Sequence, residues 1–293
     1  MSARDRIEIG RLARFVLVAA KADHLAAFYE RALGFRRRAA NRLSGRSFES
    51  LMGVTGGATS VTLGLGRETV ELLQFDRPGR SYPEKASSSD LIFQHFAIIV
   101  ADMGAAFRKL STVAGWTAIS SGGPQRLPET SGGVTAFKFR DPEGHPLELL
   151  SFPVGKAPPR WRADVAGEPC LGIDHSAISV ADSARSIAFY EGLGLSVSAR
   201  SLNRGPEQER LDGAREPPVD VIALAPAQDT PHIELLRYRA DARDHGAVAQ
   251  SNDIAATRLV LETRAPSADA GGIAPHSLID PDGHRLLIVP PSA

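Results

Sequence analysis

The sequence has one cysteine, Cys170, among 293 residues, so no disulfide can form within the chain. It has no run approaching the roughly 18 apolar residues of a membrane span, and its opening segment, MSARDRIEIG, lacks the apolar stretch of a secretory signal. An excess of either charge is also missing, because 34 Lys and Arg balance 34 Asp and Glu. These absences predict a cytoplasmic protein with neither nucleic acid nor membrane as partner.

The remaining composition is that of an ordinary globular protein. Hydrophobic residues make up 43% and charged residues 23% of the chain, which excludes a disordered protein. The length allows two domains of usual size or one large domain with a sizeable core. We interpret Cys170 as a small buried residue rather than a catalytic thiol.

Three segments repeat one pattern. They are RLARFVLVAAKADHLAAFYERALGF (11–35), FQHFAIIVADMGAAFRKL (93–110) and GIDHSAISVADSARSIAFYEGLGL (172–195). In each, an apolar run of strand length precedes apolar residues at helical spacing. Asp102 and Asp182 are the predicted N-caps of two of these helices. The repeats therefore predict a strand followed by a helix at each position.

Each predicted helix precedes shorter apolar runs separated by Gly, Pro, Asn and Asp, which predict strands and tight turns. The chain thus consists of modules of one strand, one helix and about three strands. A fourth module begins near TRLVLET (257–263), and its helix and middle strands look shortened or lost. We place a Pro-rich linker at 156–170, between a half at 1–155 (modules one and two) and a half at 171–293 (modules three and four).

The modules also end alike. TVELLQF (69–75), PLELLSF (146–152) and HIELLRY (232–238) each place one glutamate among leucines, whereas HRLLIV (284–289) has leucine there. The tandem modules and the phrase DPEGHPLEL resemble the vicinal oxygen chelate superfamily, which includes glyoxalase I, methylmalonyl-CoA epimerase, extradiol dioxygenases and the fosfomycin and bleomycin resistance proteins. The resemblance implies an α+β fold of four βαβββ modules, the fourth truncated, that pair into open, curved mixed-sheet barrels.

The resemblance also implies one divalent metal ion between two paired modules, with one ligand from the first and one from the last strand of each. The implied ligands are His95 and Glu148 of module two, and His175 and Glu234 of module three. Module one offers only Glu71, since its first-strand position holds Ala13 or Arg14, and module four offers Ala256 and Leu287, which bind no metal. If module two pairs with module three, and one with four, all four ligands meet in one site. If the modules pair in sequence, one with two and three with four, the ligands are divided between two sites. We favour the first pairing.

Further candidates are polar residues near the predicted barrel mouth. We expect 202–213 and 122–134 to form loops that rim the barrel. His145 and His284, which follow Gly in the turns, are interpreted as turn residues. The candidate substrate-binding residues are Asn203, Gln208, Arg210, Tyr238 and Gln125.

Three functions follow from the resemblance. The favoured one is a metal-dependent isomerase or lyase like glyoxalase or epimerase, in which Glu148 or Glu234 removes a proton from a small substrate chelated through vicinal oxygens. The second is an extradiol-type dioxygenase using Fe(II), two histidines and one carboxylate. The third is a non-catalytic binder of the bleomycin resistance type. The sequence leaves the metal open among Fe, Mn, Ni, Zn and Co, and allows a monomer or a homodimer.

Overall fold

The computed structural model describes residues 7–162, 167–213, 218–228, 231–239, 249–264 and 274–291. No helix within these ranges is long and apolar enough to cross a membrane. The helices are α1 (Ala22–Leu33), α2 (Arg46–Met52), α3 (Met103–Ser111), α4 (Ser183–Gly192) and α5 (Pro206–Asp212). The strands are β1 (Ile9–Val18), β2 (Arg36–Leu43), β3 (Ala58–Leu65), β4 (Glu68–Phe75), β5 (Gln94–Val100), β6 (Thr117–Ala118), β7 (Gln125–Arg126), β8 (Thr135–Arg140), β9 (Pro146–Ser151), β10 (Cys170–Ser179), β11 (Ser196–Asn203), β12 (Val219–Ala225), β13 (His232–Tyr238), β14 (Arg258–Thr263), β15 (His276–Ile279) and β16 (Arg285–Val289).

The strands form two mixed sheets. The inner sheet has the order β11-β12-β13-β10-β5-β9-β8-β6, with β7 paired to β8, and combines modules two and three. The outer sheet has the order β15-β16-β14-β1-β4-β3-β2 and combines modules one and four. The preferred pairing of modules is therefore confirmed, as is the α+β class with open sheets. Each sheet takes strands from both halves of the chain, and the division into 1–155 and 171–293 stays a prediction about module order.

Within every module the first strand lies parallel to the last, in the pairs β1–β4, β5–β9, β10–β13 and β14–β16. The two modules of a sheet join through their first strands, which run antiparallel in β5–β10 and β1–β14. The centre of each sheet is therefore made of first and last strands only. Side chains from four different strands can meet there on one face.

The main core lies between the two sheets and includes the helices. On β5, Phe96, Ile98 and Val100 enter this core, whereas His95 and Ala97 face the opposite side, as the period of two in a strand requires. The inner faces of α1, α3 and α4 fill the same core. The predicted N-caps are confirmed, since Asp102 accepts from Ala105 N and Asp182 from Ala184 N.

The turns DPEGH and DPDGH connect modules that are adjacent in sequence. His145 is buried and lies 2.8 Å from Asp141 through Nδ1 and 3.0 Å from Val18 O through Nε2. Tyr29 on α1 donates to the same Asp141 carboxylate over 3.1 Å. The turn of module two thus holds the end of the first strand and the helix of module one. Both histidines lie in turns, as expected, but His145 is also a buried contact between modules.

The same arrangement recurs in the second half. His284 Nε2 lies 2.9 Å from Ser179 O, and Tyr190 on α4 donates to Asp280 over 3.1 Å. The repeated phrase therefore has a structural reason that is independent of any metal. It joins module two to module one and module four to module three.

Three expectations about the rest of the chain need correction or extension. Residues 206–212, expected within a loop, form helix α5, which lies between Gly205 and Gly213, both with positive φ. The predicted linker contains Trp161, which is buried and bonded to Asp174, so this part is packed rather than free. Module four has three strands and no helix within its described ranges, as expected, and residues 265–273 lie outside those ranges.

Candidate metal centre

Four predicted ligands lie on one face of the inner sheet. His95 on β5 is opposite Ala177, and His175 on β10 is opposite Ala97, so the two histidines are diagonal neighbours with ring centroids 5.9 Å apart. Glu148 on β9 pairs with Ala97, and Glu234 on β13 pairs with Ala177. The central strands thereby bring together residues from four separate parts of the chain.

Three of the four predicted ligands, His95, Glu148 and His175, form a compact group. His95 Nε2 lies 3.3 Å and His175 Nε2 lies 3.8 Å from Glu148 Oε2. Each residue offers one ligand atom such that all three atoms lie within 4.8 Å of one another. All three side chains are buried, with 3–5% of each residue exposed. Glu234 stands at the edge of this set, with Oε2 3.5 Å from His175 Nε2 and a side chain 22% exposed.

These residues suit a divalent ion. Both ring nitrogens of His95 are buried, and neither makes a well-aligned hydrogen bond, which is unusual for a buried imidazole. Imidazole nitrogen and carboxylate oxygen are ligands of Zn²⁺, Fe²⁺, Ni²⁺ and related ions. A cation between His95, His175 and Glu148 would provide a partner for the buried ring of His95.

Burial and neighbouring charges shift the pKa values of the predicted ligands. Burial opposes the charged form of His175, but the carboxylates of Glu234, Asp174 and Glu148 outweigh it and raise its pKa to about 9. Burial lowers the pKa of His95. Burial would raise the pKa of Glu148, yet the histidines and Lys138 hold it at about 2. The carboxylates of the site therefore stay ionised, and either a proton on His175 or a bound cation balances their negative charge.

A β-bulge helps to orient His175. The register of β10 against β5 shifts between Ile173 and His175, and the extra residue is Asp174. Its carboxylate lies 3.2 Å from His175 Nδ1 and accepts from Trp161 Nε1 over 3.1 Å. A carboxylate at the second nitrogen of a ligating histidine fixes the ring and increases its basicity. The sequence-based prediction did not include Asp174, although it stands directly before His175.

A cavity of about 200 Å³ opens beside the four residues. This is smaller than the roughly 300–1,000 Å³ of pockets for drug-sized ligands, so the cavity suits a compact molecule. Three predicted substrate-binding residues line it: Asn203, Gln208 and Tyr238. Its apolar lining consists of Leu127, Val134, Ala136, Leu150, Phe152, Leu211, Val219, Val221 and Leu236.

Two other predicted substrate-binding residues lie elsewhere. Arg210 Nε donates to Gln125 Oε1 over 2.7 Å, and neither residue is part of the cavity lining. Arg210 is on the outer side of the short helix that presents Gln208 inward. The pair joins α5 to β7, so it positions the cavity wall, and its direct contact with substrate is not supported by this geometry.

The outer sheet shows what replaces the site in modules one and four. By register, Arg14 stands at the place of His175, Glu71 at that of Glu234, Arg258 at that of His95 and Leu287 at that of Glu148. Arg14 Nε lies 3.1 Å from Glu71 Oε2, and Ser60 Oγ donates to the same carboxylate. Glu71 is thus neutralised by a guanidinium instead of a metal, as expected for a leftover ligand.

One sequence-based assignment was wrong here. Ala256 was placed at the first-strand ligand position of module four, but that position belongs to Arg258, which is opposite Val16 just as His95 is opposite Ala177. Arg258 is 2% exposed, and it donates to Ala256 O and Ser251 Oγ. Within the described ranges, clusters of His, Cys, Asp and Glu suited to a metal occur on the inner sheet alone.

Comparison with known proteins agrees with this geometry. Residues 11–149 match the model of the Glyoxalase/Bleomycin resistance protein/Dioxygenase superfamily. Residues 11–149 therefore belong to this superfamily. No curated protein matches the chain.

Among solved structures, the fold of the chain is similar to single-residue mutant and unmutated forms of glyoxalase I from Zea mays. The mutant has a TM-score of 0.61 at 20% identity, covering 96% of this chain and 92% of that one. The unmutated protein has a TM-score of 0.56 at 18% identity, covering 96% and 92%. A "putative dioxygenase" from Bacillus subtilis has a TM-score of 0.55 at 12% identity, covering 97% and 86%. At these identities the similarity shows the fold alone.

Proposed function

We propose that the protein is a divalent-metal-dependent isomerase or lyase of the glyoxalase or epimerase type, acting on a small substrate with vicinal oxygens. The main support is that His95, Glu148, His175 and Glu234 meet at the wall of one small cavity. All four belong to the same chain, so one copy supplies the whole set. The match of residues 11–149 to the model of the Glyoxalase/Bleomycin resistance protein/Dioxygenase superfamily is consistent with this function.

The geometry suggests different roles for the two glutamates. Glu148 lies between both histidines and is almost fully buried, which suits a permanent ligand. Glu234 contacts His175 alone among the ligands and remains partly exposed at the cavity. Glu234 is therefore the better placed general base, although the sequence offered both.

A divalent ion held by these residues would supply Lewis acidity towards a substrate carbonyl oxygen. Glu234 would remove the proton from the neighbouring carbon and return it to the adjacent carbon or the same one. His232 Nε2 lies 3.4 Å from Glu234 Oε1, and the His232 side chain is 24% exposed. His232 thus connects the base with solvent and can relay protons. The apolar cavity wall would exclude water from the reacting carbon.

A specific observation also supports the extradiol-type dioxygenase. The compact set His95–Glu148–His175 contains two histidines and one carboxylate, which is the ligand set of many non-haem Fe(II) oxygenases. In that function Glu234 would stand aside from the metal and act as an acid–base group. The lyase or isomerase remains our first proposal because Glu234 is ionised, close to His175 and open to the cavity.

Metal loading of variants tests the site itself. We expect His95→Ala and His175→Ala to abolish binding of Ni²⁺ or Zn²⁺, because each removes one of the closest ligands. Arg14→Ala and Glu71→Gln, at the corresponding places of the outer sheet, are matched controls and should keep full loading. Metal bound to His95→Ala at the stoichiometry and affinity of the unchanged protein would contradict a shared site.

A second comparison tests the roles of the glutamates and the reaction. Glu148→Gln should lose the metal, whereas Glu234→Gln should keep it within about tenfold in affinity. The proposed reaction requires activity with Ni²⁺, Zn²⁺, Co²⁺ or Mn²⁺ and no oxygen consumption, measured first with a hemithioacetal of methylglyoxal. Catechol-dependent oxygen uptake by the Fe²⁺-loaded protein would instead establish the dioxygenase. Failure to bind any of these metals would favour the non-catalytic binder.

A further inference from the structure

Three side chains of the cavity wall converge on one buried carboxylate. Asp212, at the end of α5, accepts from Lys138 Nζ over 2.6 Å, from Gln208 Nε2 over 2.7 Å and from Tyr238 OH over 3.1 Å. Asp212 and Lys138 are each 4% exposed. A buried ion pair is costly to desolvate, so Lys138 and Asp212 are not explained by stability alone.

This arrangement leaves unused hydrogen-bonding capacity in two residues that line the cavity. Asp212 takes the amide nitrogen of Gln208, so Gln208 Oε1 must point away from it, and this buried oxygen has no partner in the described structure. Lys138 has three N–H bonds, and the structure gives one of them a partner, Asp212. Both residues line the cavity. The wall therefore offers ammonium donors and an amide acceptor together.

The wall lies next to the metal ligands. On the strand pair β8–β9, Lys138 is directly opposite Glu148, so both side chains project from the same face. Lys138 also acts electrostatically on Glu148 and on Glu234. A substrate held at the metal would thus extend towards Lys138 and Gln208.

The outer sheet again provides an internal comparison. By register and by helix position, Ser277 corresponds to Lys138, Phe48 to Gln208, Met52 to Asp212 and Phe75 to Tyr238. There Phe48 and Phe75 pack with ring centroids 6.0 Å apart, within an apolar cluster that includes Met52. The outer sheet thus lacks both the polar wall and three of the four candidate metal ligands, so the two features occur together in the inner sheet.

We propose that Lys138 and Gln208, positioned by Asp212, form a subsite that recognises a hydroxyl group of the substrate beside its metal-chelating oxygens. A hydroxyl accepts from the ammonium and donates to Gln208 Oε1, so it satisfies both groups at once. A carboxylate would satisfy Lys138 but place a negative oxygen against Gln208 Oε1. This inference rests on the proposed function, because the chelated end of the substrate must lie at the metal.

Binding of a chelator series to the full-length Ni²⁺-loaded protein tests the subsite. Benzohydroxamate provides two vicinal oxygens on an apolar ring, and its 2-, 3- and 4-hydroxy and 2-, 3- and 4-carboxy derivatives add one group each. By titration calorimetry we expect at least one hydroxy isomer to bind about tenfold or more tightly than benzohydroxamate, as for a hydrogen bond to a charged group. No carboxy isomer should show this gain.

We define the gain as the ratio of the affinity for the hydroxy isomer to that for benzohydroxamate in the same variant. This ratio should fall to about one in Gln208→Leu and in Lys138→Met. Phe48→Leu, at the corresponding position of the outer sheet, should keep the gain. If Lys138→Met does not fold because Asp212 loses its cation, the double variant Lys138→Met with Asp212→Asn replaces it.

The outcomes separate the two proposals. Metal loading and benzohydroxamate binding without any gain from a hydroxyl would overturn the subsite and leave the proposed function intact. A gain limited to carboxy isomers, or one that survives Gln208→Leu, would also overturn it. A metal-loaded protein that binds none of the hydroxamates would refute the proposed function first, and the subsite with it.

Discussion

The contact of His145 with module one allows a quantitative prediction. Both of its ring nitrogens face acceptors, Asp141 and Val18 O, so the doubly protonated ring is the form that satisfies both. Burial lowers the pKa of His145, but the Asp141 carboxylate outweighs it and the pKa rises above 6.5. His145→Ala removes both bonds and leaves a buried carbonyl and a buried carboxylate short of a partner.

Each such unsatisfied group costs about 1–3 kcal/mol, and loss of the ring leaves a cavity as well, so we expect the free energy of unfolding to fall by about 3–5 kcal/mol. Tyr29→Phe removes a single bond to Asp141, which keeps its bonds to Glu143 N and to His145, and should cost about 1–2 kcal/mol. His24→Ala, at an exposed position of α1, should change stability by less than about 0.5 kcal/mol.

Urea denaturation followed by circular dichroism measures these differences. Since the folded pKa of His145 is raised, the stability that its protonation contributes is complete below pH 6.5 and is lost as pH rises through the folded value. The cost of His145→Ala should therefore be larger at pH 6 than at pH 9. A cost close to that of His24→Ala, or one that grows with pH, would refute the assigned role.

Four further predictions concern the centre and its surroundings. Asp174→Asn should weaken Ni²⁺ binding about 10–100-fold in calorimetry, because the ring of His175 loses its charged partner; an unchanged affinity would contradict this. Because the pKa of His175 is about 9 and a ligating imidazole must be neutral, metal affinity should rise from pH 6 to pH 9 with release of protons to a dye, and a flat profile would be inconsistent. Burial raises the pKa of Cys170 to about 12, so the thiol should stay unreactive towards Ellman's reagent at pH 8 until urea unfolds the protein; rapid labelling would argue against burial. Lys138→Met should lower the free energy of unfolding, measured in urea, by about 3–5 kcal/mol, because it leaves Asp212 buried without its cation. Adding Asp212→Asn should recover part of this loss, and an equal loss in the single and the double variant would contradict the assigned ion pair.

The repeats made much of the site predictable. A single histidine in an apolar strand says little, but His95 and His175 stand at equivalent places of two modules, each followed by a glutamate near the module's end. The resemblance to the superfamily implies one ligand on the first and one on the last strand of each module. Because repetition turns one sequence into several aligned examples, the four candidate residues and the preferred pairing could then be located without coordinates. The same argument failed at Arg258, because the sequence after this strand offers no helical pattern to align, and the alignment slipped by two residues to Ala256.

Contacts between distant residues could not be predicted in this way. Lys138 was visible as a lysine within the apolar strand AFKFR, but its partner Asp212 belongs to another module and to a helix too short for its periodicity to be recognised. His145 looked like an ordinary residue of a turn because its partners Val18 and Tyr29 lie in module one. These interactions depend on how modules pack together, which local patterns in the sequence do not encode.

The pairing of modules also affects the order in which the chain can fold during synthesis. The strands of the inner sheet come from one uninterrupted stretch, Gln94 to Tyr238, and this sheet can assemble before the last module leaves the ribosome. The outer sheet cannot, because Ile9 pairs with Thr263 and β1 must wait for β14. Until then the nascent protein exposes one open strand edge near its start, which is a site for aggregation and for chaperone binding.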